Sequence, residues 1–170
     1  MSHGSGDAQT GEITNNMYYY AYLPEASVEE TEQYFANPDV ELLHRTSNAH
    51  AVIEKKLGIV AANFFGEATD EGVTLEDDYY DYSQYTAVKS ISADPPACVM
   101  ITKSENGEYI ISVSDPTNTF GTTVVTIEIE GITRIASNPD NVEATAANGV
   151  VRIKANTKDS LRATYTFTVA

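Results

Sequence analysis

The chain has 170 residues and is 42% hydrophobic, enough to bury a core in one generous domain or two small ones. Its 10 basic residues stand against 25 acidic ones, and the resulting formal net charge of -15 repels nucleic acid and anionic membrane surfaces, so neither is expected as a partner. No apolar run reaches the roughly 18 residues a bilayer span needs, and the single Cys98 excludes an internal disulfide framework while leaving the redox compartment open.

The opening six residues, MSHGSG, read as the remnant of a purification tag, and residues 1–15 as a flexible leader. From Met17 to Leu23 the chain is rich in tyrosine, which suits a pleated, half-buried surface and predicts a strand. A helix follows from Val28 to Ala36. Ser27 and Glu30 have capping-box spacing, and Val28, Thr31 and Phe35 fall on one helical face. Asn37-Pro38 ends it, because proline has no N–H to donate and disfavours a helical residue before it. Val40–Arg45, Ala49–Lys55 and Gly58–Phe65 then read as strands of one sheet.

Between Gly66 and Tyr85 acidic residues and tyrosines replace the apolar alternation, which predicts a long loop separating two β units, with a boundary near Ser92 to Pro96. The second unit has two hairpin signals. Asn106-Gly107 lies between Cys98–Lys103 and Glu108–Ser114, and Asn148-Gly149 precedes Val150–Ala155. Val125, Ile127 and Ile129 alternate with polar neighbours, as do Leu161, Ala163, Tyr165, Phe167 and Val169. The fold class expected is therefore all-β: antiparallel β-sandwich units with one short α-helix near the N-terminus. The expected division is 16–92 for the first unit and 93–170 for a sandwich able to fold alone.

Few residues offer chemistry. His44 and His50 read as half-exposed strand-end side chains, His3 belongs to the tag, and Cys98 reads as a small core residue. Phosphate loops, nucleophile elbows and paired metal cysteines are missing, so no catalytic residue, metal or cofactor is expected. Asp70, Glu71, Glu76, Asp77, Asp78 and Asp81 could offer oxygen ligands to calcium, but without EF-hand spacing they read as a solvated acidic loop. Tyr79, Tyr80, Tyr82 and Tyr85 are the candidate carbohydrate-binding residues: a flat ring with a hydroxyl suits a sugar, although the neighbouring carboxylates would repel an anionic glycan.

One longer pattern remains. A Tyr-rich run leads into Leu23-Pro24, then a short helix, Asn37-Pro38-Asp39-Val40, Gly58, and Ala61-Ala62-Asn63-Phe64. The stretch Pro96-Ala97-Cys98-Val99-Met100-Ile101 and the run from Tyr109 through Ser114-Asp115-Pro116-Thr117 follow in order. Together these resemble polysaccharide lyase family 8, the hyaluronate, chondroitin and xanthan lyases. Residues 16–92 resemble the end of the family's large β-domain, and 93–170 its C-terminal β-sandwich. The resemblance implies a secreted or cell-surface parent enzyme that cleaves uronate-containing polysaccharides by β-elimination. It also implies partners: the polysaccharide, through that parent, and a catalytic α/α domain of the same polypeptide that is not in this sequence. No position here matches a catalytic motif of the family, so this chain is expected to be a structural module supporting the substrate cleft, a monomer or a weak homodimer. A carbohydrate-binding module and an immunoglobulin-like cell-surface adhesin domain are the alternatives.

Overall fold

In the computed structural model the described residues are 20–46, 48–65, 72–75, 81–94, 96–117, 122–137, 139 and 142–155, with the backbone of 165–169. The chain divides into two compact units, Met1–Pro38 and Asp39–Ala170.

The first unit carries helix α1, Val28–Ala36, with the bounds the sequence predicts. Its start is fixed by a reciprocal cap: the Ser27 hydroxyl accepts from the Glu30 amide at 3.2 Å, and the Glu30 carboxylate accepts from the Ser27 amide at 2.8 Å. Glu29 and Glu30 also place negative charge at the positive end of the helix dipole. At the other end the Asn37 amide bonds back to the Gln33 carbonyl before Pro38 stops the helix. No α1 residue is buried, and Val28 and Phe35 are exposed. The strand predicted from Met17 is not formed over Tyr20 to Leu23, whereas Met17 to Tyr19 lie outside the described residues. Tyrosine adopts strand geometry only where a neighbouring strand completes its hydrogen bonds, and Tyr20 and Tyr22 are instead exposed.

The second unit is a sandwich of two antiparallel sheets. Strands β1 (Val40–Arg45), β2 (Ala49–Glu54), β3 (Ile59–Phe64), β6 (Ala97–Lys103), β7 (Tyr109–Ser114), β12 (Tyr165–Val169) and β9 (Ile135–Ser137) make the larger sheet in that spatial order. The smaller runs β10 (Val142–Ala147), β11 (Val150–Ala155), β8 (Thr123–Ile129), β5 (Val88–Asp94), β4 (Val73–Thr74). Period-two alternation aims one side chain in two at the facing sheet. Ile53, Val60, Ile101 and Ile111 come from the first sheet, and Ile91, Ile127, Ile129 and Ile153 from the second, all with 0% exposure. Burying each such side chain stabilises by about 1.5–3 kcal/mol.

The boundary expected at residues 92/93 falls inside β5, and it does not separate two sheets. β3 pairs with β6 in the register Val60↔Ile101, and β5 pairs with β8 through Ile91↔Ile127. Asp94 and Pro96 instead carry the chain from the smaller sheet to the larger. The proline signal was a sheet crossing, because a residue without an N–H interrupts a ladder equally well at a corner and at a linker.

Candidate functional site

Among the described residues, a group of charged and aromatic side chains forms where β1, the β2–β3 turn and the end of the acidic, Tyr-rich segment meet. Glu41 pairs in register with Ile53, a core residue, so its carboxylate points to the inner side of the sheet near the strand's start. Two positions past Ile53 on the same side, Lys55 brings its ammonium onto one carboxylate oxygen of Glu41. The Tyr82 hydroxyl donates to the other oxygen at 3.0 Å. Tyr82 is held there by a tight turn, in which its carbonyl accepts from the amides of Tyr85 and Thr86 at 2.9 and 3.2 Å. The Lys55 ammonium also lies 5.8 Å from the centre of the Tyr85 ring. Gly58, at φ +64°, completes the packing: a Cβ there would stand 2.6 Å from the Tyr85 carbonyl oxygen, so only glycine lets the β2–β3 turn close on this segment.

The electrostatics follow from these contacts. The Lys55 hydrogen bond holds the Glu41 carboxyl below its ordinary range against the opposing effect of burial, with Tyr82 assisting. Glu41 in turn raises the Lys55 amine, again against burial. An amine held cationic takes up no proton from a substrate, and a carboxylate engaged by two donors is a poor base. The arrangement clamps the Tyr-rich segment to the first hairpin. Beside it, Lys56 pairs with Asp39 at 2.7 Å, and the Lys55 amide bonds to the Asp39 carbonyl at 2.8 Å.

Of the four candidate carbohydrate-binding tyrosines, Tyr82 and Tyr85 lie among the described residues. Tyr82 is 7% exposed with its hydroxyl committed to Glu41, so it has no free face for a ring to stack on. Tyr85 is 37% exposed and shares its ring with Lys55. Tyr79 and Tyr80 lie outside the described residues, as do Asp70, Glu71, Glu76, Asp77 and Asp78 of the acidic group. Asp81 is exposed and accepts from the Ser83 amide at 2.8 Å, and the Ser83 contacts hold its carboxyl below the usual range.

Cys98 departs from its expected place. Ala97 and Val99 take the core positions on β6, so strand alternation turns Cys98 to the outer face, half-buried, between Asn63 and Ser114 of the neighbouring strands. Burial pushes its thiol up, with Ser114 opposing, which keeps it in the weakly nucleophilic protonated form near neutral pH. His50 is exposed and meets Phe65 edge-on, ring centres 5.0 Å apart, while His44 lies 3.4 Å from the Thr46 hydroxyl.

Sequence reasoning missed Asp115. Its buried carboxylate accepts from both the amide and the hydroxyl of Thr117, at 2.8 and 2.7 Å, and so turns the chain out of β7. The signal was present, since an aspartate two residues before a threonine in Asp115-Pro116-Thr117 is the pattern of an Asx turn.

Residues 41–124 match the family model described as polysaccharide lyase family 8, C-terminal beta-sandwich domain. That stretch runs from β1 into β8, through both sheets and across the boundary expected at 92/93. The xanthan lyase of Bacillus sp. (strain GL1) is 30% identical over 100 residues, which is 59% of this chain and 9% of that relative. Among solved structures, a Paenibacillus xanthan lyase superposes with a TM-score of 0.69 at 24% identity, covering 86% of this chain and 12% of that one. The Streptomyces coelicolor A3 chondroitin AC lyase superposes with a TM-score of 0.64 at 17% identity, over 85% of this chain and 17% of its own. At these identities the superpositions show a shared fold. The chain spans less than a fifth of the length of each of these relatives.

Proposed function

Because residues 41–124 match the C-terminal β-sandwich domain of polysaccharide lyase family 8, we propose that the chain belongs to that family and serves as a non-catalytic structural module of a larger secreted lyase. In this reading the parent cleaves a uronate-containing glycan by β-elimination in a separate α/α domain, and the sandwich braces that enzyme beside its substrate cleft. The observation that carries the reading is the match over residues 41–124, which runs through both sheets of one compact unit. The Glu41, Lys55 and Tyr82 clamp supports it: every group there that could move a proton is engaged by another. β-Elimination needs a base, an acid and a group neutralising the uronate carboxylate to converge on one sugar.

The test is direct. Purified chain incubated with hyaluronan, chondroitin or xanthan is expected to generate no ultraviolet absorbance from unsaturated uronate ends. Sustained turnover on any of them would overturn the non-catalytic reading.

A second reading, a carbohydrate-binding surface, keeps one foothold in the partly open ring of Tyr85. Calorimetric titration with the same three glycans separates the two. A saturable heat that Tyr85→Ala abolishes would replace bracing with binding, and its absence leaves bracing. The adhesin alternative accounts for a sandwich but not for the family match.

A further inference from the structure

The sequence contains two Asn-Gly dipeptides, Asn106-Gly107 and Asn148-Gly149. This is the dipeptide in which a backbone nitrogen most readily attacks the preceding side chain, because glycine puts no Cβ in the way and leaves the backbone free to rotate. The fold places both in hairpin turns, and it treats them differently.

Asn106-Gly107 closes the β6–β7 hairpin. Lys103↔Tyr109 is the last strand pair, the Ser104 amide bonds to the Glu108 carbonyl at 2.8 Å, and Gly107 takes φ +83° at the end of a three-residue loop. Both residues are exposed, and a Cβ on Gly107 would meet nothing within 4 Å. The bond from the Gly107 amide to the Ser104 carbonyl, at 3.0 Å, stays within the turn itself.

Asn148-Gly149 is a two-residue turn between β10 and β11, with φ 52° and 80°. Here the glycine is tied to a different segment on both sides. Its amide donates to the Ile132 carbonyl at 3.1 Å, and its carbonyl accepts from the Ile129 amide at 2.7 Å. The Ile129 carbonyl oxygen also sits 3.2 Å from where a Cβ would be, and Ile129 and Ile132 are themselves core residues. Rotating the Asn148–Gly149 peptide plane requires breaking the bond to Ile132, and the bond from Ile129 pins the plane that follows it, so the glycine is held on both sides by segments anchored to the core.

We infer that Asn106 is a spontaneous deamidation site of this chain, and that Asn148, in the same dipeptide, is shielded by the fold. In the reaction the Gly107 nitrogen loses its proton to water and attacks Asn106 Cγ. The new N–Cγ bond closes a succinimide while the Cγ–Nδ2 bond breaks and releases ammonia. Water then opens the ring at either carbonyl, leaving aspartate or isoaspartate. No oxidant or reductant takes part. The product adds a carboxylate between Glu105 and Glu108 at the tip of a hairpin whose strands lie inside the larger sheet.

The intact chain is held in native buffer and, in parallel, in denaturant, and the peptides bearing Asn106 and Asn148 are followed by mass spectrometry with 18O water. The readout for each site is its unfolded rate divided by its native rate, which removes the effect of flanking residues. That protection ratio is expected to be at least about tenfold larger at Asn148, the factor that one or two extra hydrogen bonds to break before reaction amount to. As an independent check, Asn106→Gln is expected to abolish most of the acidic species that accumulates natively, and Asn148→Gln to leave it. Equal protection at the two sites, greater protection at Asn106, or an acidic species that persists unchanged in Asn106→Gln would each overturn the inference.

Discussion

Helix α1 and the sandwich are built by opposite means. α1 is a local object: a capping box at Ser27 and Glu30, acidic residues in its first turn and Pro38 just past its end set its limits, yet it buries none of its residues. The sandwich is a long-range object. Its hairpins are joined to one another by partners far away in sequence, with Val60 opposite Ile101 and Ile91 opposite Ile127, and its stability resides in a core drawn from both sheets. Local signals alone can position an element exactly in sequence without giving it anything to hold, whereas burial holds elements whose local signals are weak.

The largest test of that contrast is to cut the chain. A fragment of residues 93–170 loses β1, β2 and β3 from the larger sheet, and β4 with nearly all of β5 from the smaller, which leaves β6 and β8 each with an unpaired edge beside an uncovered core. It is expected to show collapsed amide dispersion and no cooperative unfolding. A well-dispersed spectrum would restore the independent sandwich expected from sequence alternation. Next in size is Ile127→Ala, at a fully buried position on the central strand of the smaller sheet. It is expected to cost about 2–5 kcal/mol in urea denaturation. Met100→Ala, on the outer face and 46% exposed, is expected to stay within about 0.5 kcal/mol. Equal losses at the two positions would mean that the core assignment is misplaced.

The same contrast explains what the sequence makes legible. β1, β7 and β11 stand out from sequence because apolar residues alternate or turn dipeptides bound them. β5 escapes because a bulge between Val88 and Ser90 breaks its period, and β10 because Ala144, Ala146 and Ala147 carry little hydrophobic contrast. The clamp is invisible for a related reason. Glu41 and Lys55 are 14 positions apart and Tyr82 lies 41 from Glu41, so only the strand register brings them together. The tyrosine-rich composition of that segment pointed to a sugar surface, yet the fold spends Tyr82 on the core.

Tyr82→Phe sharpens the comparison from the sandwich side, since it removes one hydroxyl and leaves the ring's burial intact. The expected loss is about 1 kcal/mol, the net value of one hydrogen bond, and it should depend on pH. Glu41 is held below its ordinary value of 4.5 in the folded chain, so the stability it contributes is present above that value and is lost as pH falls through the lowered one. The gap between the native chain and Tyr82→Phe should therefore be full near neutral pH and close on acidification. A gap that does not change with pH would mean that the hydroxyl's partner is something other than the Glu41 carboxylate.

The smallest effect on the sandwich is expected from a change in the helix. Ser27→Ala removes the oxygen that accepts the Glu30 amide and also one of the donors to the Glu30 carboxylate. Loss of such a cap costs about 1 kcal/mol of helix stability. For an element that buries nothing, that loss should appear as faster amide exchange over Val28 to Ala36 and not as a shift in the unfolding midpoint of the sandwich. Acid should mimic the substitution, because Glu30 is held below its ordinary value chiefly by the Ser27 amide and then by its hydroxyl. The cap is therefore complete above that ordinary value and weakens as pH falls through the lowered one. A shift of the global midpoint in Ser27→Ala would show that α1 contributes to the stability of the sandwich, and the division between a local helix and a long-range core would fail.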